Sequence, residues 1–176
     1  VACVFNKPTV IFKDKDYELR EIFLPEAFDK SDLSDVIFNY NHRGRVYART
    51  RNQSLFLTVE NDGLHMRAIL DMADEGHKQL HRDVRNRLID KMSFAFTVKD
   101  EEYRSLGFVN GIFCEERIVK KIEKVYDVTA VDIPAYDETS ISARSVFDAA
   151  KEKHCRANTE RVKNKLKLKL KMEGIF

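Results

Sequence analysis

Apolar and polar residues alternate with a period of two through most of the first two thirds of this chain, and that period suits half-buried strands, not helices. Val10-Ile11-Phe12 and Leu19-Arg20-Glu21-Ile22-Phe23-Leu24 are predicted strands. Val36 to His42 is a third, apolar at its start and polar at its end, with Arg43-Gly44-Arg45 as the turn that follows. His42 therefore stands where a strand meets a loop. Leu55 to Glu60 and Leu64 to Leu70 flank Asn61-Asp62-Gly63, a hairpin signature in which the Asp-Gly pair supplies the positive φ of a tight turn. Lys91 to Val98, Arg117 to Ile122 and Lys124 to Ile133 are further strands, the last stopped by Pro134. Because the chain opens on the apolar run Val1-Ala2-Cys3-Val4-Phe5, it is expected to begin inside a strand, as a processed or trimmed N-terminus would.

Two segments break the alternation. Pro25-Glu26-Ala27-Phe28 is a short helix or turn, with proline at a first helical position where its missing N–H costs nothing. Between Asp74 and Ile89, Leu80, Val84 and Leu88 recur at helical spacing among charged residues, which predicts an amphipathic helix. The expected fold class is α+β and mainly β: an antiparallel β-barrel or strongly curved sheet with a few helices packed outside it.

A chain of 176 residues with 43% hydrophobic and 34% charged residues fits one compact domain. Lys151 to Glu173 holds nine Lys/Arg against three Asp/Glu, a surplus of six; residues 1–150 hold 22 against 26, or −4. The expected division is a domain over 1–145 and a basic tail over 146–176, with a charged helix to Arg161 and then alternating Lys and Leu to Lys171. Cys3, Cys114 and Cys155 are three widely spaced thiols without a Cys-x-x-Cys, which fits neither a zinc site nor a disulfide framework. No apolar stretch approaches the roughly 18–20 residues of a membrane-spanning helix, and a soluble, cytoplasmic protein is expected.

Ser93, within Met92-Ser93-Phe94-Ala95-Phe96, places a hydroxyl among side chains that would otherwise all pack, and a positioned base would make it a nucleophile. Taken alone it equally reads as a core serine bonded to a neighbouring carbonyl, and His42 as a surface histidine. No His-Glu-x-x-His or phosphate-binding Gly-rich loop is present, and His77 and His81, at i and i+4 of the predicted helix, have no third metal ligand in view. No cofactor and no metal are expected.

Five landmarks decide between these readings. Glu21-Ile22-Phe23-Leu24-Pro25-Glu26-Ala27-Phe28, Asn41-His42, Asp62-Gly63-Leu64, Met92-Ser93-Phe94-Ala95-Phe96 and Asp127-Val128-Thr129-Ala130-Val131-Asp132-Ile133-Pro134-Ala135-Tyr136 follow one another in an order that resembles the prohead protease family of tailed phages. The resemblance spans roughly residues 1–145 and implies a serine endopeptidase with a fold similar to the herpesvirus assembly protease. It implies cleavage of the major capsid protein or scaffold inside the immature phage head in the host cytoplasm, self-cleavage, and association with a second copy. It places the general base on His42 and the nucleophile on Ser93.

A third group should bond the second imidazole nitrogen and favour the imidazolium. The herpesvirus enzymes use a histidine that follows the serine, but the only histidine after Ser93 here is His154 in the tail. Asp127 is the chosen third member, with a structural aspartate at a strand start as its other reading; Asp132, Glu123 and His65 are the alternatives. The herpesvirus enzymes also bring an arginine pair near the oxyanion. No Arg-Arg follows Asp127, and Arg43, Arg45 and Arg49 read as solvated surface residues. Two further functions stay open: a capsid-binding assembly protein without catalysis, and a nucleic-acid arm in the tail. The tail has no interleaved aromatics, so a linker is favoured and nucleic acid is not an expected partner.

Overall fold

A computed structural model of the chain describes residues 1–132, and the predicted tail over 146–176, with Cys155 and His154, lies outside the described residues. The strands in chain order are β1 (Cys3–Val4), β2 (Thr9–Lys13), β3 (Tyr17–Phe23), β4 (Ile37–Tyr40), β5 (Arg43–Arg49), β6 (Leu55–Glu60) and β7 (Gly63–Ala68). Helix α1 (Glu75–Arg85) then leads to β8 (Lys91–Val109) and β9 (Ile112–Val131), and single 3-10 turns occupy Pro25–Phe28 and Thr50–Asn52.

Strand β9 is the spine of the larger sheet. Its first half has β3 on one side and its second half has β4 on that same side, both parallel to it, while β8 runs antiparallel along its other side. The 3-10 turn at Pro25–Phe28 lies between β3 and β4 in the chain, so one long strand carries two short parallel neighbours in line. β2 and β5 complete this sheet as antiparallel partners of β3 and β4. The smaller sheet is antiparallel, in the order β1-β7-β6. The fold is therefore mainly β as expected. The expectation of an antiparallel barrel is corrected, because two pairings are parallel and neither sheet closes among the described residues.

Local chemistry accounts for three further corrections. The turn after β4 is Asn41-His42, not Arg43-Gly44-Arg45, which belongs to β5. The β6–β7 hairpin turns on Asn61-Asp62 with Glu60 opposite Gly63, and neither Asp62 nor Gly63 takes a positive φ. Gly63 answers a different need, because a Cβ there would lie 2.0 Å from the Cys3 carbonyl oxygen of β1. Helix α1 is capped by Asp74, whose carboxylate accepts from the Gly76 and His77 N–H groups, but it ends at Arg85 and Arg87 adopts φ 58°. Leu88 thus falls outside the predicted stripe and is 72% exposed, and the apolar contacts of this segment come from Leu80 and Ile89.

The core lies against one face of the β9 sheet. Phe23, Phe28, Phe94 and Phe96 pack together there, with Phe94 at 5.2 Å from Phe23 and 4.7 Å from Phe96 between ring centroids. Truncating Phe94 to alanine would leave a cavity among three aromatic neighbours, and we expect a loss of about 3–5 kcal/mol in stability, measured as a lower urea midpoint.

Through the middle of β9 the core residues are Val119, Ile122, Val125 and Val128, three apart instead of two. Residues Lys120, Glu123 and Tyr126 are each skipped in the pairing with β8, so each is the extra residue of a β-bulge. Every such bulge reverses which side of the sheet the following residues face. The bulge at Tyr126 sends Val128 and Ala130 to the core and leaves Asp127 and Thr129 on the opposite face.

Candidate active site

On that opposite face, Ser93 of β8 pairs directly with Thr129 of β9, which pairs in turn with Asn39 of β4; one step along, Ala95 pairs with Asp127 and Asp127 with Ile37. Side chains of directly paired residues share a face, so Ser93, Thr129 and Asp127 stand together on adjacent strands. His42 is brought over them by the tight turn that ends β4.

That turn has positive φ at both central residues, 51° at Asn41 and 55° at His42, the pattern of the two-residue hairpin turn that matches strand twist. Asparagine tolerates this region well and histidine less so, at a cost of roughly 1–2 kcal/mol without support. The support comes from the end of β9. The Asn41 N–H donates to the Ala130 carbonyl at 2.9 Å, and the His42 N–H donates to Thr129 Oγ1 at 3.1 Å. The Thr129 hydroxyl lies 3.1 Å from the Asn39 carbonyl, to which it donates.

So held, the imidazole bridges the other two groups. His42 Nε2 lies 3.0 Å from Ser93 Oγ, and Nδ1 lies 2.9 Å from Asp127 Oδ1. An ionised carboxylate can only accept, so Nδ1 carries the proton it donates to Asp127, and the Nε2 lone pair is left to accept from the Ser93 hydroxyl. The His42 and Asp127 side chains are only 10% and 12% exposed. Little water competes for either bond, which strengthens both. Such an array can take a proton from Ser93 Oγ while holding the imidazolium beside a negative charge.

The remaining sequence candidates are elsewhere. Asp132 accepts from the Tyr40 hydroxyl and from Asn41 Nδ2, not from the imidazole. Glu123 is an exposed bulge residue, and His65 faces Thr58 in the smaller sheet with Nε2 2.7 Å from Asp62 Oδ1. Arg45 bonds Asp74 at 2.6 Å and Arg49 bonds Asp35 through two nitrogens, so both serve structural ion pairs. His77 accepts from the Asp71 N–H and packs on Tyr47, and the His77–His81 pair has no third metal ligand among the described residues. Burial pushes the Cys3 thiol up, which makes it a poor nucleophile, and Cys114 is buried as well.

Thr129, Tyr40 and Asn41 are the site residues that sequence reasoning passed over as participants. Thr129 had a usable signal: it lies two residues from Asp127, the spacing of one strand face.

The sequence model of the caudovirus prohead serine proteases matches residues 2–153. No curated protein and no solved structure matches the chain. The match takes in β1 to β9 and every residue of the His42 arrangement, and it covers far more than half of the sequence. The chain belongs to the caudovirus prohead serine protease family.

Proposed function

We propose that the chain is an endopeptidase of prohead maturation in which Ser93 is the nucleophile, His42 the general base and Asp127 the group that orients and stabilises the imidazolium. The observation that carries this reading is the single imidazole within hydrogen-bond reach of both a serine hydroxyl and a shielded carboxylate. As Ser93 Oγ adds to the scissile carbonyl carbon, its proton passes to His42 Nε2. His42 then returns that proton to the departing amine nitrogen, the C–N bond breaks, and an acyl ester on Ser93 remains. A water molecule repeats the sequence: its proton goes to Nε2, its oxygen adds to the ester carbon, and the C–Oγ bond breaks as Ser93 recovers its hydrogen.

The substrates in this reading are the major capsid protein, the scaffold and the chain itself, met inside the immature head in the host. Confinement there raises the effective concentration of substrate and of a second protease copy. The test is co-expression with the capsid and scaffold proteins of the same phage, followed by intact-mass measurement of all three. Discrete shortened products that carry new N-termini are expected. Intact partners, together with no adduct on the Ser93 peptide after treatment with an organophosphonate serine reagent, would overturn the proposal.

A further inference from the structure

We propose that Asp132 is a positioning residue for His42: with Tyr40 and Asn41 it clamps the turn that aims the imidazole at Ser93. This rests on the reading of His42 as the general base. The two residues immediately before His42 both place side-chain donors on the Asp132 carboxylate, the Tyr40 hydroxyl on Oδ1 and Asn41 Nδ2 on Oδ2 at 2.9 Å. The Asp132 N–H closes the ring by donating to Asn41 Oδ1 at 3.2 Å. Both carboxylate oxygens are therefore engaged by one turn, and the Asn41 amide is used as donor and acceptor at once.

The turn needs such a brace. Two successive positive φ values include one at histidine, and the pairing of β4 with β5 becomes irregular immediately behind the turn. Strand β9 supplies the restraint through Thr129 on the His42 backbone, and Asp132, the residue just beyond its end, adds a second on the side chains of Tyr40 and Asn41. Asp127 and Asp132, five residues apart near the end of one strand, thus divide the work: one bonds the ring, the other fixes the backbone that carries it. The Tyr40 and Asn41 donors hold the Asp132 carboxyl below the usual carboxylate range, so the clamp is intact at neutral pH and opens as pH falls. Asp132 is exposed, so its removal should disturb aim more than folding.

For Asp132→Ala we expect kcat on a capsid-derived peptide to fall about 100-fold, the scale of loss from a misplacement of about 1 Å, with KM and the melting temperature nearly unchanged. Tyr40→Phe, which removes one of the two donors, should lose about 10-fold. The pair Asn41→Asp with Asp132→Asn exchanges donor and acceptor across the same bonds and should restore most of the activity lost in Asp132→Asn. A second readout does not depend on proteolysis: the downfield NMR signal of the His42 Nδ1 proton bonded to Asp127 should weaken or vanish in Asp132→Ala. Wild-type kcat and an unshifted imidazole signal in both Asp132→Ala and Tyr40→Phe would overturn the clamp while leaving the Ser93 reading untouched. Inactive wild-type protein with the expected imidazole changes would instead count against the protease reading alone.

Discussion

Replacing Ser93 with alanine is expected to reduce peptide hydrolysis roughly a millionfold, the scale on which loss of a serine nucleophile acts when base and orienting groups remain. The substitution deletes one hydroxyl whose bond runs to His42 Nε2. It leaves the backbone pairing of β8 with Thr129 in place, and Phe94 and Phe96 on the core side are untouched. Folding should therefore be preserved, and a melting temperature near that of the wild type is part of the expected result. The measurement is product formation from co-expressed capsid protein, followed by mass spectrometry. Capsid cleavage at the wild-type rate by Ser93→Ala would exclude a serine mechanism, whereas a well-folded variant that still binds capsid assemblies but cuts nothing would support it.

Asp127→Asn should lower kcat by about ten-thousandfold with little change in KM, because it removes the charge that stabilises the imidazolium and allows the wrong tautomer. An amide at this position can rotate its NH2 toward Nδ1. The imidazole proton is then held on Nε2, where it faces Ser93 Oγ instead of accepting from it. Acylation is the step that should fail, so a rapid-quench experiment should show no burst of ester formation. Turnover at the wild-type level in Asp127→Asn would remove this carboxylate from the proposed mechanism and leave His42 and Ser93 to act as a pair.

Much of the mainly β character was legible because Leu19 to Phe23 and Leu55 to Glu60 are strands that alternate or bury apolar side chains in the expected way. The parallel pairing of β3 and β4 with β9 was not, since alternation describes the faces of a strand and is silent on its neighbours. Strand β9 defeated the periodicity reading for a physical reason. Its core residues recur every third position through bulges at Lys120, Glu123 and Tyr126, a spacing that belongs to neither a regular strand nor a helix, and the predicted strand broke at Glu123.

The outer half of β8 was lost differently. Lys99 to Arg104 is charged and exposed, and its extension as a strand depends on partners such as Lys120 for Glu102 and Glu116 for Arg104, which local sequence does not reveal. One local signal was present: Asn110-Gly111, with φ values of 52° and 82°, is the turn that joins β8 to β9. For the site, Ser93 and His42 were individually ordinary, and only the order of the landmarks singled them out. Asp127 was the hardest to place, because its direction depends on the bulge beside it.

That bulge has a consequence for how such a chain can change length. Lys120, Glu123 and Tyr126 each add one residue to β9 opposite β8, and the last of them separates Val125, which pairs with Phe96, from Asp127, which pairs with Ala95. Loss of this one exposed residue would close the bulge and leave Asp127 opposite Ala95 and Val128 opposite Phe94, whereas loss of Val128 would turn Thr129 toward the phenylalanine core. Single-residue changes of length are also compatible with the site at the other bulges, such as Leu106 of β8 near the Asn110-Gly111 tip. Between Asp127 and Thr129 only exchanges of residue type are compatible with the site.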